Sequence, residues 1–340
     1  MRKISGILVA SALVASITLV APAANAANET ITGSGASYSN SMHQTCIAGY
    51  SAASTDKVTY TSTGSGTGKT QFANGSTQFG SSDSLYSSDA PANFTYVPLI
   101  GGPIAIVFNV SGVKTLNLTP KLLDGIFTAK ITKWNDAKIK AVNAAVAAKL
   151  PNKDIQVVFR SDTSGTTNNF GNYMKQTVGG SWKAADAWAD ASGSTKGTGA
   201  SKNSGIVTTV SGLANSISYA DLADVMTAGL SYASVQNGAG QYIKPTVSAS
   251  SKFLAANPVS TNGEVVFDYK KKVTGGYNLS LISYGLAPTK SPFASKAAAV
   301  KDYFTYFLST CAPKEAAKTG YVAVSGKLKA KALELVAKIK

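Results

Sequence analysis

The stretch "VTYTSTGSGTGKTQF" (residues 58–72) holds the first decision about the fold. It opens on alternating apolar and polar residues and passes through a loop of Gly, Ser and Thr. It then enters a segment able to form a helix. Strand, glycine-rich loop and helix in that order make an α/β unit, with the helix N-terminus offering backbone N–H groups to an anion. The nucleotide-binding pattern G-x-x-x-x-G-K-[ST] is met at Gly68-Lys69-Thr70, but Thr63 stands where the pattern requires its first glycine. The loop reads as an anion cradle, and the nature of the anion has to come from the rest of the chain.

The N-terminus bears on that question. "MRK" precedes the uncharged run "ISGILVASALVASITLVA", and Ala24-Asn25-Ala26 supplies small residues around a cleavage point. Residues 1–26 are expected to be a secretory signal peptide. No cysteine follows the apolar run, so a lipoprotein is not expected. No later stretch reaches the roughly 18 apolar residues of a membrane span. The mature chain is expected to be exported, to the periplasm or beyond it, where ATP is scarce, and the nucleotide reading weakens accordingly. The length of 340 residues suits two domains.

Cys46 and Cys311 are the two cysteines. In an oxidising compartment one disulfide is expected, with two buried thiols as the alternative. A bridge would place both ends of the chain in one domain. His43 is the single histidine, which argues against imidazole catalysis and a histidine-rich metal site. His43 is read as a structural residue, and neither a metal nor a cofactor is expected.

Elsewhere, "PIAIVFNV" (103–110) and "IQVVFRSD" (155–162) read as buried strands, and "KVTYTST" and "QFGSSD" as strand ends. The run "TPKLLDGIFTAKITKWNDAKIKAVNAAVAAKL" reads as helix interrupted around Gly125 and Trp134. "GKLKAKALELVAKIK" spaces Leu328, Ala332, Leu335, Val336 and Ile339 along one helical face, with lysines outside. The alternation argues for an α/β fold with its ligand at the C-terminal ends of the strands.

Four loops share one composition: "GSGASYSNS" (33–41), "TGSGTGK" (63–69), "FGSSDS" (79–84) and "FRSDTSGTTNNF" (159–170). Each could merely cap a helix or make a turn. Four together favour a shared polyatomic anion. Arg160 offers planar donors that Asp162 can brace. Asp83 is the informative residue, because a carboxylate among anion-binding loops repels a fully ionised ligand. It fits a ligand carrying a proton, as phosphate does near neutral pH and sulfate does not.

The run "GSGASYS…VTYTSTGSGTGK…QFGSSDS…PLIGGPIAIVFNVSGV…LNLTPKLLDGIFTAKITKWNDAKI…LPNKDIQVVFRSDTSGTTNNF" resembles the periplasmic phosphate-binding proteins of Pst-type phosphate ABC transporters. The resemblance is nearly continuous from Gly33 to Phe170 and looser beyond. It implies a two-domain, hinged periplasmic-binding-protein fold (type II-like) with the ligand in the interdomain cleft. The implied domains are residues 27–105 plus 285–340, and residues 106–284, with crossings near 105 and 285. The resemblance also implies a monomer that captures inorganic phosphate and passes it to an ABC permease.

Carried over by motif, Ser37 donates its hydroxyl and Tyr38 its backbone N–H. Ser65 donates through side chain and backbone, and Asp83 accepts the phosphate proton. Arg160, braced by Asp162, pairs with the anion, and Ser164, Gly165 and Thr166 complete the cradle. Lys69 is expected to be solvated. Two segments, "WADASGSTKGTGASKNSG" and "NSISY" (215–219), depart from the family pattern and are expected to lie outside the phosphate shell. Residues 251–340 carry 14 lysines against five acidic residues, read as a solvated coat and not a nucleic-acid site. The competing readings are a secreted phosphomonoesterase on the same scaffold and a basic adhesive surface protein.

Overall fold

The computed structural model describes residues 28–340, and the expected signal peptide at 1–26 lies outside them. The first three strands are β1 (Thr30–Gly35), β2 (Lys57–Ser62) and β3 (Phe79–Ser82), with β1 parallel to both neighbours. Parallel strands need crossovers, supplied here by α1 (Asn40–Ser51) and α2 (Ser65–Ala73). The loops leaving β1, β2 and β3 therefore emerge at one edge of the sheet.

The strand read from residue 103 begins nine residues earlier, as β4 (Phe94–Asn109). Pro98, Gly101, Gly102 and Pro103 break the β-branched pattern in its first half, so sequence periodicity finds only the second. Every residue from Thr95 to Phe108 is buried, as expected of a strand covered on both faces. Beyond it follow β5 (Gln156–Arg160), β6 (Thr198–Ala200), β7 (Ser216–Asp221) and β8 (Ser280–Pro288). The sheet order is β2-β1-β3-β8-β4-β7-β5-β6, and short strands at 231–232 and 322–323 also pair with β4. β4 changes partner midway: Phe94–Pro103 pairs with β8, and Ile104–Asn109 pairs with β7.

Helices α3 (Gly165–Thr177) and α4 (Lys202–Gly212) follow β5 and β6. Helix α5 (Val247–Ala255) precedes β8. Helices α6 (Ala294–Tyr306) and α7 (Gly326–Ala337) follow it. In α7 the expected face is inward, with Ala332, Leu335 and Val336 buried and Lys327 and Lys338 exposed. The run from 119 departs from its reading at one point. Helix Pro120–Phe127, capped by Thr119, passes straight through Gly125 and ends at Thr128. Gly125 is there for contact, since a Cβ would stand 2.7 Å from Ile131 Cδ1.

Cys46 in α1 and Cys311, just beyond α6, form the expected disulfide, with Cα atoms 5.5 Å apart. His43, one helical turn before Cys46, is wholly buried. Its ring stacks on Tyr60 at 4.0 Å between centroids, and Nδ1 pairs with the Tyr303 hydroxyl at 2.9 Å. Burial pushes its pKa down to about 3. The unfolded chain then binds a proton below about pH 6.5 that the folded chain refuses. His43 therefore contributes stability that is present above pH 6.5 and lost as the pH falls toward 3. His43→Phe keeps the stacking and removes the titration. It should be less stable at pH 8 by about 1 kcal/mol for the lost bond to Tyr303, yet lose less stability than the parent between pH 7.5 and 5. Urea unfolding at the two pH values checks this, and equal losses in both proteins would contradict it.

Candidate functional site

The loops after β1, β2 and β3 bring Ser37, Tyr38, Ser65 and Asp83 to one edge of the sheet. β5 ends on Arg160, and the turn beyond it leads through Asp162 into α3 at Ser164. Close contacts join the two groups. Gly66 N donates to Thr163 O at 3.0 Å. The amide and Nδ2 of Asn203 both donate to Ser37 Oγ, at 3.2 and 3.3 Å. Asn169 Nδ2 donates to Asp83 O at 2.6 Å. Two glycines permit this approach. A Cβ on Gly165 would lie 2.5 Å from Ser65 Oγ and 2.8 Å from Ser84 N. Gly64 has φ of +89°, and its Cβ would lie 2.6 Å from Asp162 Oδ2.

Arg160 is 1% exposed, a costly place for a cation. Asp162 offsets that cost with a bidentate pair, Nε to Oδ1 at 2.7 Å and Nη2 to Oδ2 at 2.6 Å. Lys202 N, held at φ +64°, donates to the same Oδ1 at 3.0 Å. Burial works against the Asp162 charge, but the bonds and charge of Arg160 outweigh it and hold the carboxyl below its ordinary pKa. Tyr219 OH accepts from Arg160 N at 3.3 Å and pairs with Thr167 Oγ1 at 2.7 Å. The third nitrogen, Nη1, is buried and has no partner.

Asp83 supplies the opposite group. Its Oδ2 accepts from Thr166 Oγ1 at 3.3 Å, while Oδ1 is buried without a partner. Burial pushes its pKa up to about 6, against the lowering influence of Ser283, the Arg160 charge and Thr166. At neutral pH the group is mainly ionised and can accept.

The hydroxyls divide by what they already do. Ser65 Oγ accepts from Asp83 N at 3.2 Å, and Ser164 Oγ caps α3 by accepting from Thr167 N at 3.1 Å. Ser37 Oγ accepts from Asn203. All three keep a hydroxyl hydrogen to give. Thr166 has spent its hydroxyl on Asp83, leaving its backbone N–H. Helices α1, α2 and α4 begin without a side-chain cap. Gly66, Lys202 and Asn203 N already donate to Thr163 O, Asp162 Oδ1 and Ser37 Oγ, and the Ser65 N–H at the start of α2 is not among those spent. Tyr38 is fully buried; its carbonyl accepts from Tyr321 OH at 2.7 Å. Donors on several elements, with Asp83 as acceptor among them, suit a tetrahedral oxyanion that carries a proton.

All nine residues singled out from the sequence thus lie in one connected region. Lys69 is not solvated: its side chain is 13% exposed, and its ammonium donates to Asp186 Oδ2 at 2.8 Å and to Ser84 Oγ at 3.0 Å. The two segments set aside as departures reach the site residues directly, one through Lys202 and Asn203 and the other through Tyr219. Their signal was the Ser201-Lys202-Asn203 helix start, which also marks the N-terminus of α4.

Residues 20–310 match the family model described as a PBP superfamily domain. The chain is 33% identical over 285 residues to the phosphate-binding protein PstS of Xylella fastidiosa (strain Temecula1), covering 81% of this chain and 76% of that protein. It is 32% identical over 260 residues to phosphate-binding protein PstS3 of Mycobacterium bovis (strain BCG), covering 72% and 69%. In fold it is similar to a high-affinity periplasmic phosphate-binding protein (PfluDING) solved with phosphate bound, with TM-score 0.74 and 23% identity over 88% of this chain and 92% of that one. A phosphate-binding protein from Stenotrophomonas maltophilia aligns with TM-score 0.66 at 18% identity, over 90% and 93% of the two chains.

The electrostatics are open to direct measurement. In phosphate-free buffer the Asp83 carboxyl should titrate near pH 6. Arg160→Met removes a lowering influence and should move that titration upward. Carbon-detected NMR of the carboxyl groups reads both, and a midpoint near 4 that ignores the Arg160 substitution would mean that Asp83 is solvated.

Proposed function

Because the chain belongs to the PBP superfamily and, within it, to the PstS phosphate-binding proteins, we propose that it captures inorganic phosphate at the Arg160–Asp83 site. From there it hands the ion to an ABC permease as an exported, periplasmic receptor. The observation that carries this reading is the complementary pair of unpartnered buried atoms, the donor Nη1 of Arg160 and the acceptor Oδ1 of Asp83. Each is costly if left alone, at about 1–3 kcal/mol or more for a charged group. A hydrogen phosphate ion relieves both, taking the Arg160 N–H on one oxygen and giving its own proton to Asp83 from another. The free hydroxyl hydrogens of Ser37, Ser65 and Ser164 and the N–H groups of Tyr38, Ser65, Gly165 and Thr166 serve the remaining lone pairs. Asp162 acts by bracing Arg160.

The change of partner along β4 supports two lobes hinged near Ile104. Ser280–Pro288 pairs entirely with β3 and the first half of β4, which favours a return crossing ahead of Ser280. Ligand groups then come from both lobes, and binding closes the cleft over the ion. No helix of the described residues is long and apolar enough to cross a membrane, consistent with a receptor that meets its permease as a separate protein.

The phosphatase alternative has no comparable support. Ser65 Oγ bonds the Asp83 amide and Ser164 Oγ bonds the Thr167 amide. Neither hydroxyl is paired with a carboxylate base as a nucleophile would be.

Replacing Asp83 tests the reading. Asp83→Asn keeps the size of the side chain and lets an N–H turn toward the ligand. Losing one charge-assisted bond costs about 1.5–3 kcal/mol. The preference for phosphate over sulfate should therefore narrow at least about tenfold, partly through a gain in sulfate affinity. Calorimetric titration of both proteins with both anions at one pH and ionic strength reads the ratio. An unchanged ratio would leave Asp83 a structural group.

A further inference from the structure

Lys69 and Asp186 meet where the two lobes face each other, just outside the anion site. Lys69 lies one helical turn beyond Ser65 on α2. Its ammonium donates to Asp186 Oδ2 at 2.8 Å, Ser84 Oγ at 3.0 Å and Leu85 O at 3.1 Å, so all three of its hydrogens are used. Asp186 is equally committed. Its Oδ2 also accepts from Ser84 Oγ at 3.1 Å, its Oδ1 from Asn168 Nδ2 at 2.9 Å, and its backbone oxygen from Ser164 N at 2.9 Å. The pair is only 13% and 18% exposed, and so less screened than a surface pair such as Lys133–Asp154, at 49% and 67%.

Each end of this network touches a segment that carries site residues. Ser84 follows Asp83, α2 begins with Ser65, and Asn168 and Ser164 belong to the start of α3. We propose that Lys69 and Asp186 are positioning residues that form a clasp across the cleft, holding the lobes closed and setting how slowly bound phosphate escapes. The clasp rests on the proposed reading for its two hinged lobes and for the identity of the ion whose release it governs. With two lobes hinged at β4, opening has to separate Lys69 and Ser84 on one side from Asp186 on the other. It breaks several charge-assisted bonds in a single step. Stabilising the closed state slows dissociation, and where it also closes the ligand-free protein it lowers the open fraction that can bind.

The test uses the full mature chain and inorganic phosphate. Release is followed by stopped-flow chase, and the ligand-free dimensions by small-angle scattering. Lys69→Met should release phosphate about tenfold faster than the parent, the effect of losing one partly buried charge-assisted contact. Its ligand-free form should have a larger radius of gyration, and its association rate should rise modestly with the larger open fraction. Lys69→Arg, which can still pair with Asp186, should recover most of the slow release, whereas a merely structural lysine would show no such rescue. Asp186→Asn should behave as Lys69→Met does and serves if that variant folds poorly. Lys133→Met, at the exposed pair, should release as the parent does. Parent-like release and parent-like dimensions in both clasp variants would overturn the proposal. Failure of the parent to bind phosphate would instead overturn the receptor reading, and the scattering comparison would still judge the clasp.

Discussion

The bidentate pair between Arg160 and Asp162 is the constraint on which the site depends. A guanidinium in the interior is tolerable only if most of its charge and donors are matched. Asp162 matches two nitrogens at 2.7 and 2.6 Å and leaves Nη1 unmatched. The pair thus converts a general attractor of anions into a directed donor with a fixed orientation. It also constrains what surrounds it. Gly64 must lack a side chain beside Asp162 Oδ2, Lys202 must adopt a left-handed backbone to reach Oδ1, and Tyr219 must stand behind the Arg160 amide.

In the proposed receptor, binding strength and selectivity come from different groups. Backbone N–H groups at helix starts and hydroxyl hydrogens supply attraction to an oxyanion of tetrahedral shape. Asp83 adds a condition that only a protonated oxyanion meets. Burial pushes its pKa up to about 6, a cost that the proton of a bound hydrogen phosphate would offset. Gly165 lets α3 approach within reach of Ser65 and Asp83, so that donors and acceptor converge on one small volume. Outside this volume, the Lys69–Asp186 contact ties together the same two segments that carry the donors and the acceptor.

Much of this was legible in the sequence because anion cradles are built from local pattern. A strand, a Gly/Ser/Thr loop and a helix start are contiguous; the pattern marked four such loops with Asp83, Arg160 and Asp162, and the family resemblance picked out the other six of the nine residues that the fold gathers. The disulfide and the inward face of α7 were legible for similar reasons of composition and spacing. What escaped was non-local. The first half of β4 and all of β8 lack a clean alternation, because they are buried on both faces and contain Pro and Gly at points of close approach. Asn203 and Tyr219 sit in segments that depart from the familiar pattern, and only folding brings them to Ser37 and Arg160. Lys69 looked solvated because its partner lies 117 residues away. Gly125 looked like a helix break, whereas it makes room for Ile131.

On the proposed reading, one protonated tetrahedral anion joins Arg160 to Asp83. A crystal structure of the phosphate complex at high resolution tests it most directly. It should show a single phosphate within hydrogen-bond distance of both Arg160 Nη1 and Asp83 Oδ1, with the Arg160–Asp162 pair unchanged. A phosphate held by Arg160 alone, with Asp83 turned away or bonded only to protein, would contradict it.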